Sequence, residues 1–133
     1  MSDADDSRYE AGLTVRTEVL GAEHVARAQA RQTPLDADFQ RYITETAWGG
    51  VWTRPDLDRR TRSLVTIAIL AGLGRVEELE LHFRASKNID VDPREIAEVL
   101  MHVAVYAGVP AANRAFALAK TILDDPAPKP SAE

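Results

Sequence analysis

Three histidines are the side chains of this 133-residue chain that can trade a proton near neutral pH, and one of them stands apart. His82 borders Leu79 and Phe83, and Glu78 lies one turn earlier on the same helical face. A carboxylate beside an imidazole at the edge of an apolar surface orients the ring and favours its protonated form, which suits general acid catalysis. The same spacing also describes a core histidine satisfied by Glu78, so both roles are open. His24, among charged and alanine neighbours, reads as a surface residue. His102 follows Glu98 by one turn, away from Ile96, Val99 and Leu100, and reads as half of a solvated or interface ion pair. Two candidate ligands at 78 and 82 are too few for a metal site. The absence of cysteine excludes disulfides, thiolate metal sites and thiol catalysis together.

A second concentration of chemistry is WGGVWTRPDLDRRTRSL, residues 48–64. It holds both tryptophans and sets Arg54, Arg59, Arg60 and Arg62 against Asp56 and Asp58, a local positive excess in a chain of net charge −5. Guanidinium groups bind planar anions in bidentate fashion, so these arginines can form a carboxylate clamp. They can equally form surface salt bridges to Asp56, Asp58 and nearby acids, which contribute little stability. On a helix starting near Asp58, Arg59, Arg62 and Thr66 share one face and Arg60 points elsewhere. Arg59 and Arg60 therefore cannot both face one pocket. Trp48 and Trp52, flanking Gly49 and Gly50, are suited to a core or to the wall of a dry pocket.

The elements that must position these groups are helices. Apolar spacing and end signals predict them over 7–20, ended by Gly21, over 23–31, and over 35–48, where Leu35, Phe39, Tyr42 and Ile43 make a buried face. Asp58 is placed to cap a helix whose residues 64–70 are apolar nearly all round, predicting a central, buried element that stops at Gly72 or Gly74. A helix from Val76 to about Asn88 follows. DPRE at 92–95 is a capping box with Pro93 at the first helical position, opening a helix that Gly108 and Pro110 end. A last helix spans about 111–123. No segment alternates with period two, so the fold class is all-α, a single domain of six or seven helices over 7–124 with flexible tails at 1–6 and 125–133.

Composition narrows the partners. A chain that is 45% hydrophobic and 28% charged falls in the soluble globular range, and its longest apolar run, 64–73, is too short for a membrane span. The acidic opening MSDADDSRYE carries no export signal, which predicts a cytoplasmic protein. Net negative charge disfavours nucleic acid. The helices over 64–71 and 96–107 are apolar on more faces than so small a chain covers, which predicts a homo-oligomer.

WGGVWTRPDLDRRTRSL, followed by ELELHFRAS at 78–86 and EVLMHVAVYAGVPAANRAFALAK at 98–120, resembles the carboxymuconolactone decarboxylase family. The likeness runs from about Tyr9 to Leu123. It implies an alkylhydroperoxidase-D-like helical bundle, assembly as a trimer or hexamer, and decarboxylation of a dianionic lactone, 4-carboxymuconolactone, to the enol-lactone of 3-oxoadipate in protocatechuate breakdown. It implies no cofactor. The peroxidase relatives carry a Cys-x-x-Cys pair before their histidine; with that histidine aligned on His82, Arg75 and Glu78 stand where the cysteines do, so their disulfide chemistry is closed to this chain. The resemblance favours His82 and Glu78 as the acid–base pair. Arg62, with Arg59 or Arg54, becomes the clamp for the carboxylate that stays, and Trp48 and Trp52 the apolar wall near the one that leaves. SKNIDVDP at 86–93 departs from the family, which more often has Asn-Gly in that turn, and Ile89 points to an altered loop. A paralogue acting on another lactone or β-keto acid, and a non-catalytic oligomeric binding protein, are the alternative expectations.

Overall fold

The computed structural model describes residues 3–126, with side chains from residue 6 onward. Among the described residues every regular element is helical: α1 (Asp3–Leu20), α2 (Ala22–Arg31), α3 (Ala37–Ile43), a π-helical turn (Thr44–Trp48), α4 (Arg59–Leu73), α5 (Val76–Ala85), a 3-10 turn (Ser86–Ile89), α6 (Pro93–Tyr106) and α7 (Val109–Ile122). The all-α expectation holds. Of the expected tails at 1–6 and 125–133, the first is corrected because α1 already starts at Asp3, residues 125–126 have no regular structure, and 1–2 and 127–133 lie outside the described residues. The chain forms two compact units, Met1–Arg62 and Ser63–Glu133.

In the first unit α1 presents Val15, Val19 and Leu20 to the interior, where Val25, Thr44 and Trp48 are also buried. α1 and the π turn come close because Gly12 has no side chain; a Cβ there would stand 2.8 Å from the Gly49 nitrogen. Arg41 of α3 adds a polar tie, pairing with Asp6 at 2.8 Å and Glu45 at 2.7 Å over the face of Tyr9. The expected buried stripe is corrected here: Leu35 is 95% exposed, and Phe39 and Tyr42 are also mostly exposed. Leu35 sits in the turn before α3, where Asp36 Oδ1 accepts the Thr33 N–H at 2.8 Å. The inward side of α3 is instead polar, carrying Arg41 toward α1.

The second unit has the larger core. Ile67 and Ala71 of α4, Leu79 and Phe83 of α5, Ile96, Leu100 and Val103 of α6, and Ala112, Ala115, Ala119 and Ile122 of α7 form one cluster. The alanines of α7 recur at three- and four-residue spacing, so a flat, small-residue face lets neighbouring helices pack closely. The capping box at α6 is present: Asp92 Oδ1 accepts the Arg94 N–H at 2.8 Å, and the Glu95 carboxylate accepts the Asp92 N–H at 3.1 Å. Two expectations are corrected. α4 is not buried all round, since Val65, Ile69 and Leu73 are exposed. Pro110 does not merely end α6; it lies in the first turn of α7, where its missing N–H costs nothing.

Candidate active site

The π turn shapes the tryptophan–arginine stretch. A π turn holds an extra residue relative to an α turn and is frequent at functional sites. Here it delivers Trp48, 7% exposed, onto Trp52, with ring centroids 4.8 Å apart and planes inclined by 28°. The chain after it is pinned by turns: Val51 and Trp52 N–H donate to Ala47 C=O, Arg54 N–H donates to Val51 C=O, and Thr53 Oγ1 donates to Gly49 C=O at 2.8 Å. Asp58 caps α4 as expected, its Oδ1 accepting the Thr61 N–H at 2.7 Å. That N–H, then the Thr61 hydroxyl and the charge of Arg60, hold the Asp58 carboxyl below its ordinary range.

The four arginines of this stretch have separate positions. Arg62 Nη2 donates to the Arg54 carbonyl at 3.0 Å, so it fixes the end of the loop as well as presenting a half-buried guanidinium. Arg54 is exposed and stands 3.8 Å from Asp56. Arg59 pairs with Glu18 of α1 at 2.6 Å, rather than with Asp56 or Asp58. Arg60 is exposed. The structure thus joins Trp48 with Trp52 and Arg62 with Arg54, and turns Arg59 toward α1.

In the second unit, α5 places His82 between Leu79 and Phe83 in the buried part of its surface, and His82 itself is 9% exposed. Glu78 is exposed one turn before it. Of the other histidines, His102 is exposed and stacks on Tyr106 at 6.1 Å. His24 is half-buried; burial first, then the charges of Arg16, Arg27 and Arg31, hold its pKa below the ordinary value. Among the described residues no three His, Asp or Glu side chains cluster as metal ligands.

Sequence spacing passed over two buried polar groups. Ser63 is fully buried, and its Oγ has no hydrogen-bond partner among the described residues. Arg16 of α1 has its Nε shut off from water without an acceptor. Buried polar atoms are nearly always satisfied, so such exceptions call for a reason. The one signal in the sequence was Arg16 standing next to Val15, on a helix whose other buried positions are apolar.

The description "Carboxymuconolactone decarboxylase family" matches residues 37–121. The 4-carboxymuconolactone decarboxylase of Acinetobacter baylyi is 49% identical over 121 residues, covering 91% of this chain and 90% of that protein. The nitrosuccinic acid decarboxylase npaB of Metarhizium robertsii is 41% identical over 117 residues, covering 88% of this chain and 82% of that protein. An uncharacterized 15.0 kDa protein of Paracoccus denitrificans is 30% identical over 82 residues, covering 60% and 61%.

Proposed function

The chain belongs to the carboxymuconolactone decarboxylase family, and from that premise we propose that it converts 4-carboxymuconolactone into the enol-lactone of 3-oxoadipate with loss of CO2. The observation that carries this reading is the 49% identity to a decarboxylase of that substrate across nine-tenths of both chains. Decarboxylation is also the activity in the name of the second relative.

The substrate supplies its own electron sink. The departing carboxylate sits on a carbon joined through a double bond to the lactone carbonyl. When the C–C bond to CO2 breaks, its electron pair moves through that double bond onto the carbonyl oxygen as a dienolate. A proton then adds to the carbon next to the carbonyl, and the reaction closes with no external electron acceptor. The enzyme must hold the dianion, stabilise the developing oxyanion and deliver the proton. One good donor to the oxyanion contributes about 3 kcal/mol.

Only interactions stronger in the transition state accelerate the chemistry, so an arginine on the departing carboxylate slows it. We therefore assign Arg62 to the acetate-arm carboxylate that stays, with Arg54 beside it and Arg59 held back by its pairing with Glu18. The Trp48–Trp52 stack is assigned as apolar wall for the carboxylate that leaves. His82 is assigned as proton donor, because it is the histidine that combines burial with an apolar setting; Glu78 is assigned to orient it once substrate is bound.

The proposal extends to assembly as a trimer or hexamer in the cytoplasm. Val65, Ile69 and Leu73 recur every four residues on α4 and are exposed, as are Met101, Val105 and Tyr106 of α6, more apolar surface than a lone small domain usually shows. No described helix is long and apolar enough to cross a membrane.

The test is direct. Purified protein mixed with enzymatically generated 4-carboxymuconolactone releases CO2 and forms the enol-lactone; no release, where a known decarboxylase turns over, removes the proposal. A second reading, a paralogue acting on another activated carboxylic acid, is favoured by the name of the 41% identical relative, and turnover of nitrosuccinate in preference to the lactone would select it.

A further inference from the structure

The first unit contains a cavity of about 220 Å³ whose lining comes from α1, α2, α3 and the π turn, and which includes none of the residues assigned to the lactone. Arg16 stands in its wall. Its Nη1 donates to Thr44 Oγ1 at 3.1 Å, a neutral acceptor, and among the described residues no carboxylate pairs with it. Burial holds its pKa below the ordinary guanidinium value, with Tyr9 offsetting part of the effect. The other arginine of the lining, Arg41, is already neutralised by Asp6 and Glu45. Asp38 lies exposed at the rim. A half-buried guanidinium without a counter-ion is costly to keep, and the cost is recovered when an anion arrives.

The rest of the lining suits a small organic acid. Exposed Gln29 and Gln32 and half-buried Gln40 line the same cavity and carry amide donors and acceptors. At ~30 Å³ for each water the space equals about seven waters, below the ~300 Å³ of an ordinary ligand pocket. We propose that this cavity binds a small monocarboxylate, its planar head on the fork of Arg16 and its edges on the glutamine amides. A single uncompensated guanidinium matches a single carboxylate better than a dianion, and the planar fork matches a carboxylate bidentately.

The experiment uses the intact wild-type protein with ¹⁵N-labelled arginine. The buried Arg16 Nε–H exchanges slowly with water and so is observable by NMR, and an Arg16→Lys variant identifies its resonance. Benzoate is titrated at constant ionic strength, with benzamide as the uncharged counterpart. The Arg16 resonance moves saturably with benzoate and stays still with benzamide, and calorimetry on Arg16→Gln shows benzoate binding at least about tenfold weaker, the loss typical of one charged hydrogen bond. A shift confined to Arg62 places the carboxylate in the lactone site and overturns the proposal, as does no saturable shift at Arg16 or an equal response to benzamide. If Arg16→Gln fails to fold, the wild-type resonance alone decides. None of these readings depends on whether the protein decarboxylates a lactone.

Discussion

A buried histidine on an otherwise apolar helix face is expensive to keep, and His82 is the residue we propose as proton donor. His82→Ala is expected to lower kcat about 10²- to 10⁴-fold, the range of one placed acid, with helicity and melting temperature near wild type by circular dichroism. Equal turnover in a folded variant would remove His82 from the mechanism. His24 carries a different consequence. Its pKa is lower folded than unfolded, so the unfolded chain binds the proton first as pH falls, and native stability is lost on going down from about 6.5 through the folded value. Urea midpoints at pH 7.5 and pH 5.5 should therefore differ less in His24→Gln than in wild type. Residue types and spacing singled out His82 and the arginine stretch as candidates. They could not show that Arg59 answers Glu18, because partners 41 residues apart in sequence are joined by folding alone.

At the scale of elements, end signals were read well and inward faces less well. The capping box at Asp92 and the Asp58 cap follow from local hydrogen bonding, which needs no knowledge of the fold. The stripe at Leu35, Phe39 and Tyr42 misled because apolar spacing says that a face exists, not which side of the helix has a neighbour. The π turn was equally hidden, since Thr44–Trp48 carries no residue that forbids an ordinary α turn. The departure seen at SKNIDVDP has its counterpart in Asp90, which takes the left-handed conformation at φ 55° that glycine adopts more easily. The close approach of α1 to the π turn gives the test at this scale. Gly12→Ala is expected to cost about 1–3 kcal/mol by overpacking, read as a lower urea midpoint with an unchanged slope.

For the whole molecule, the exposed apolar residues Val65, Ile69 and Leu73 of α4 are the surface on which the proposed assembly is tested. Light scattering after gel filtration should give three or six times the 14.6 kDa of one chain, and a single-chain mass would remove the proposed assembly. Ile69→Glu, placing a charge at a position 53% exposed, should shift that mass toward a single chain while leaving helicity intact. An unchanged mass would move the interface elsewhere. The π turn also makes chain length itself a constraint. Each residue of an α-helix advances the backbone by about 100°, so a residue gained in Thr44–Trp48 beyond the one the π turn already absorbs would swing Trp52 and the loop after it roughly a third of a revolution relative to α1. Substitutions at these five positions can be absorbed one side chain at a time, whereas a single codon gained there would re-aim the entire stretch at once.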